Sequence, residues 1–158
     1  MAERALTEPT PTSDRARQEA LQLLAKATLQ EIADGLNAIG EVVQHTELRP
    51  PETGLVMLRG RIGGDGAPFN IGESTVTRCA VQLDSGEVGI SYALGRDQDK
   101  ARLAAMCDAL WQSDLHRDVI ERHVLRPVRI RLDAERAETD RRTAATRVDF
   151  FTMVRGEN

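Results

Sequence analysis

In several stretches between Val42 and Leu94 the apolar residues of this chain recur at every second position, and on either side of them the spacing is three or four. That change of period constrains the fold more than any single motif. Alternation divides side chains between the two faces of a strand, whereas the 3.6 spacing gathers them on one face of a helix. Leu21, Leu24, Ala25 and Thr28 set a helical face that begins near Asp14. Thr28-Leu-Gln-Glu31 has the form of a capping box, in which the threonine hydroxyl accepts from the N3 amide and the glutamate reaches back to the cap. It opens a second helical segment through Leu29, Ile32, Ala33 and Leu36, with Gly40 as its stop, so the stretch reads as two helices or one kinked helix.

Four strand signals follow. Val42–Leu48 runs into Pro50-Pro51, which ends it. From Leu55 to Ile62, Val56, Leu58, Gly60 and Ile62 share one side and Arg59 and Arg61 the other. From Ser74 to Leu83, Thr75, Thr77, Cys79, Val81 and Leu83 form the core face, opposite Ser74, Arg78 and Gln82. Asp84-Ser-Gly86 is a turn, and Val88, Ile90, Tyr92 and Leu94 make one face of the next strand. At Gly95-Arg96-Asp97 the period switches, with Asp97 placed to cap a helix whose stripe is Leu103, Met106, Cys107, Leu110 and Trp111. Residues 113–146 carry arginines against acids at helical spacing, with Val128–Leu132 ambiguous between strand and helix, and Val148–Val154 is a final strand. Strands in consecutive runs with helices grouped apart predict an α+β fold, an antiparallel sheet of about four to five strands with N-terminal, middle and C-terminal helices packed on it. Residues 1–13, with Pro9 and Pro11, read as a flexible tail, and 14–158 as a single domain.

Composition narrows the class. With 158 residues, 41% hydrophobic and only 3% aromatic, the chain can bury a core but must build it from aliphatic residues and alanine. A net charge of −4 argues against a surface given over to nucleic acid, while leaving room for a local arginine site. Cys79 and Cys107 are too few for a disulfide framework or a four-cysteine metal site. The N-terminus lacks the features of a signal peptide, and no stretch approaches the roughly 18–20 apolar residues of a membrane span, so a cytoplasmic protein is expected.

Few residues suggest chemistry. Gly63–Gly66 lacks the Lys-Ser/Thr ending of a phosphate loop and reads as a hairpin connection, with an anion nest as the alternative. Gly89-Ile-Ser-Tyr-Ala93 misses a nucleophile elbow, because its fifth residue is alanine and Ser91 alternates along a strand. His116 and His123, about 10 Å apart along a helix, are too far apart to share one zinc ion without a kink. Arg59, Arg61 and Arg78 point away from the core face, Arg96 and Asp97 stand at a helix start, and Arg155 follows the last strand. Guanidinium groups suit carboxylate or phosphate, although pairing with neighbouring acids is the simpler reading. Phe151 or Met153 would give the final strand a second apolar face, which places it either inside the fold or against another chain, and in a sequence so poor in aromatics this fits an interface. No self-contained catalytic constellation or metal site is legible, which favours a binding or assembly subunit.

Pro51-Glu-Thr-Gly-Leu-Val-Met-Leu-Arg59, the glycines at 63, 64 and 66, and Gly72-Glu-Ser-Thr-Val-Thr-Arg78-Cys-Ala-Val81 resemble the central block of the PhnG family, which belongs to the bacterial carbon–phosphorus lyase system. Gly89–Asp97 with Asp108-Ala-Leu110 is similar to the family's next block, and Arg147–Gly156 to its C-terminal signature. Lys100-Ala101-Arg102 departs from the family pattern, where a His-Ala-Glu run is usual. The resemblance implies a hetero-oligomer with the PhnH, PhnI and PhnJ components of that system, two copies of each, and a functional link to PhnL. It implies a part in joining methylphosphonate to C1′ of the ribose of ATP with release of adenine, or else a purely structural scaffold in the assembly. It implies no cofactor on this chain, ATP and phosphonate being substrates of the complex, and neither nucleic acid nor membrane as partner. Arg59, Arg61, Arg78, Arg96, Asp97, Phe151 and Arg155 are the candidate anion or interface residues, with no catalytic residue among them.

Overall fold

The structure, a computed structural model, describes residues 11–40, 43–63 and 65–146. Helix α1 (Pro11–Lys26) leads into α2 (Leu29–Asn37), then come strands β1 (His45–Gly60), β2 (Phe69–Leu83) and β3 (Val88–Leu94). Helix α3 (Gln98–Gln112) follows, then α4 (Arg117–Ile120), a π-helical turn (Glu121–Leu125) and α5 (Arg126–Ala145). The class is α+β as expected, and the sheet is antiparallel in the order β1-β2-β3.

Three strands stand among the described residues where four to five were expected. The two stretches either side of Pro50-Pro51 are one strand, because the prolines do not end it. The register shifts between Glu47 and Arg49 and again between Arg49 and Glu52, so irregularities absorb the missing amides. This is tolerable because β1 is an edge strand. Val128–Leu132 is helical, within α5. The expected strand Val148–Val154 lies outside the described residues. Pro11 opens α1 rather than preventing it, since the first helical turn needs no proline N–H.

Local chemistry sets most boundaries. Thr28 caps α2 with the complete capping box, its hydroxyl accepting from the Glu31 amide and its amide donating to the Glu31 carboxylate. Gly40, at φ 75°, follows that helix. Asp97 caps α3 by accepting from the Lys100 amide at 2.9 Å. The π-helical turn ends two residues before Pro127, which has no N–H for the regular i→i−4 ladder.

The core lies between the inner face of the sheet and the helices. Thr77, Cys79, Val81 and Leu83 face it from β2, as their alternation predicts. From β3, however, the inward residues are the small ones, Gly89, Ser91 and Ala93. They meet an equally small face of α3, where Ala101, Ala104, Ala105 and Ala109 are buried. The approach is so close that a Cβ on Gly89 would lie 2.0 Å from the Ala105 carbonyl oxygen. Poverty in aromatics is thus answered by near contact of helix and sheet backbones.

Candidate functional site

Because β3 turns its small residues inward, it turns its large ones out. Val88, Ile90, Tyr92 and Leu94 are 37%, 39%, 57% and 73% exposed. Strand pairing builds the outer face in rows. Thr46, Gln82 and Val88 form one, then Arg49, Ala80 and Ile90, then Glu52, Arg78 and Tyr92, then Gly54, Val76 and Leu94. The only charged residues in these four rows are Arg49, Glu52 and Arg78.

Those three act as a unit. Arg78 Nε donates to the Glu52 carboxylate at 2.6 Å, and Arg49 donates to the same Oε1. Tyr92 stands opposite Arg78 in the same row, and the Tyr92 hydroxyl and then Glu52 raise the Arg78 guanidinium above its ordinary range. Bonds first from Arg49 and then from Arg78 hold the Glu52 carboxyl below its ordinary range. One carboxylate thus serves two guanidinium groups and leaves one positive charge at the middle of an otherwise uncharged face. A hollow of about 200 Å³ lies beside it, lined in part by Gly54, Val56, Val76 and Tyr92.

Beyond this face the β1–β2 hairpin continues as an arm. Leu55, Met57, Leu58, Phe69 and Ile71 are exposed along it, and Ile62 is 75% exposed in the connection at its tip. Arg59 lies opposite Asn70 near that tip, seven residues from Glu52 along β1, roughly 20 Å at the rise of a strand, and Arg61 is exposed beyond it. Arg96 and Asp97 are exposed at the start of α3, and Asp97 serves as the helix cap. The expected arginine candidates are therefore not gathered into one site. Arg78 alone sits at the centre of the outer face, and Phe151 and Arg155 lie outside the described residues.

Ser91 has a structural role: it is buried, and its hydroxyl donates to the Ala101 carbonyl at 2.6 Å. The cysteines are free and buried, and burial raises both thiols above their ordinary range. Among the described residues no cluster of three His, Cys, Asp or Glu side chains is placed to hold a metal ion, and no helix is long and apolar enough to cross a membrane.

Arg49, Glu52 and Tyr92 escape a reading of the sequence for charged motifs, because Glu52 and Arg78 become neighbours only through the strand register. The signal lies in the alternation of β3, whose bulky face and small face are both explicit.

The family model "Phosphonate metabolism protein PhnG" matches residues 15–156. The chain is 53% identical over 151 residues to the alpha-D-ribose 1-methylphosphonate 5-triphosphate synthase subunit PhnG of Rhizobium meliloti (strain 1021), covering 93% of this chain and 96% of that one. A match of this extent, carried through the strands that build the outer face and the helices behind them, means that the chain belongs to the PhnG family of phosphonate metabolism proteins.

Proposed function

We propose that this chain is a subunit of an α-D-ribose 1-methylphosphonate 5-triphosphate synthase, acting in a multi-subunit enzyme and not alone. The observation that carries the reading is its 53% identity, over nearly its whole length, to a subunit of that synthase. In the reaction the bond from ribose C1′ to adenine breaks, a phosphonate oxygen forms the new bond to C1′, and adenine leaves with a proton. PhnH, PhnI and PhnL act with this chain in that step, and PhnH, PhnI and PhnJ are its partners in a core complex with two copies of each. ATP and the phosphonate are the substrates of the complex, and the chain holds no cofactor of its own. Its setting is the cytoplasm.

The role is accessory. The chain shapes the site so that phosphonate rather than water reaches C1′, and exclusion of water with positioning of a weak nucleophile lowers a barrier by several kcal/mol without a nucleophile from this chain. Two features support this. Ser91, the serine nearest to a nucleophile motif, is committed to a backbone carbonyl inside the core. The surface instead offers an apolar sheet face and arm suited to protein contact.

Exchange of subunits tests the assignment. In a Rhizobium meliloti strain deleted for its own PhnG subunit, expression of this chain should restore growth on methylphosphonate as sole phosphorus source. A stably expressed chain that leaves the strain unable to grow would contradict the assignment.

A further inference from the structure

We propose that the outer sheet face centred on Arg78 is the docking surface for another subunit of the synthase, one that presents an apolar patch with a carboxylate at its middle. The inference rests on the subunit reading above and names the surface and the chemistry of its partner. Val88, Ile90 and Leu94 are all more than a third exposed on the side of the sheet away from α3. Interfaces combine such an apolar surround with arginine and tyrosine near the centre, where the strongest contacts concentrate. Here Arg78 and Tyr92 share a row, and Glu52 fixes the guanidinium before any partner arrives. Side chains held in place in advance lose less freedom on binding.

Charge selects among the possible occupants. Arg49 and Arg78 share the single carboxylate of Glu52, so the cluster retains one positive charge and seeks an acceptor. A second copy docked isologously would set this cation against its own equivalent, which is repulsive. A small polyanion would suit the charge but not the face. Ile90 and Val88 lie outside the 200 Å³ hollow and would remain wet, whereas small ligands are taken up in concave sites that cover most of their surface. A protein surface with an acidic residue amid aliphatic ones satisfies both requirements.

The test uses the full chain and the other synthase subunits. Arg78→Glu reverses the central charge, and Leu94→Lys places a charge at a position already 73% exposed, where folding tolerates it. Arg141→Glu, on a distant exposed turn of α5, is the control. Both outer-face variants should bind the remaining subunits at least tenfold more weakly with unchanged melting temperatures, and the control should bind as the wild type does. Wild-type affinity in both variants would overturn the proposal. So would loss of a self-dimer in place of subunit binding, which would assign the face to a second copy. An Arg78→Glu chain that assembles fully but no longer supports ATP binding by the complex would likewise overturn it, in favour of an anion site. If the wild-type chain itself binds no synthase subunit, the functional assignment fails instead, and the two failures are thereby distinct.

Discussion

Asp108 joins three elements through one buried carboxylate. Arg17 of α1 donates to both of its oxygens, at 3.0 and 2.7 Å, and the Ile90 amide of β3 donates at 2.8 Å. Arg17 and Gln112 also donate to the Val88 carbonyl, so this stretch of the β3 edge is closed by side chains. Removing one member of such a set strands the others away from water. Asp108→Ala should therefore lower unfolding stability by about 3 kcal/mol in a denaturant titration, and a loss under about 1 kcal/mol would contradict its place in the core. At Gly89 the cause is steric: a methyl group must displace the Ala105 carbonyl of α3. Gly89→Ala should cost about 1–3 kcal/mol by overpacking, read as a lowered melting temperature, and an unchanged one would refute the close approach. Glu31 supplies the pH dependence. Its bond with Arg131, supported by those from Thr28, draws its carboxyl from 4.5 down to about 2. A carboxylate whose pKa is lowered on folding adds stability above the unfolded pKa and loses it as the pH falls through the folded one. The loss should run from about pH 5 to pH 2 and amount to about 1–2 kcal/mol, since water reaches part of the group. Glu31→Gln should flatten that portion of the stability–pH curve, and an unaltered slope would remove Glu31 from the account.

The elements differ in how openly the sequence announces them. The capping box at Thr28, the Asp97 cap and the turn at Asp84–Gly86 are local devices whose whole mechanism lies within a few residues, and all three are realised. The alternation of β2 reads directly onto its buried face. Pro50-Pro51 misleads because a proline's effect depends on the strand's neighbours. On an edge strand whose register shifts on both sides of Arg49 it is accommodated, and nothing local reveals which strand is the edge. Val128–Leu132 stays ambiguous in the sequence for a related reason. Its alternation suits a strand, yet only Val128 of it is fully buried, and the helix packs on the π-helical turn and on α1. Arg131 secures that placement by pairing with Glu31 at 2.7 Å and donating to the Lys26 carbonyl. Arg131→Ala should loosen α5 from that corner and so speed amide exchange in α5. Exchange as slow as in the wild type would mean that apolar packing alone fixes the helix.

At the scale of the whole molecule the chain is a body with an unfinished surface. Helices α3 and α1 cover one side of the sheet, with α2 and the π-helical turn packed behind them, while among the described residues the other side and the hairpin arm expose aliphatic side chains in a chain that has few aromatics. Among the described residues the arm is a two-stranded ribbon with exposed aliphatic side chains, an arrangement of marginal stability by itself in water, and contact with the partner subunits proposed above would cover it. The family was legible from several sequence blocks in their order, but the outer face was not, because its rows exist only once three strands are in register. On the function proposed above, assembly is how the chain serves the enzyme: it would set the surroundings in which another component's reaction takes phosphonate in place of water. The most direct measurement is the ribose product formed from ATP and methylphosphonate by PhnH, PhnI and PhnL, with and without this chain. Ribose 1-methylphosphonate 5-triphosphate is expected when the chain is present and only free ribose triphosphate when it is omitted. Equal yields of the phosphonate product in both mixtures would contradict it.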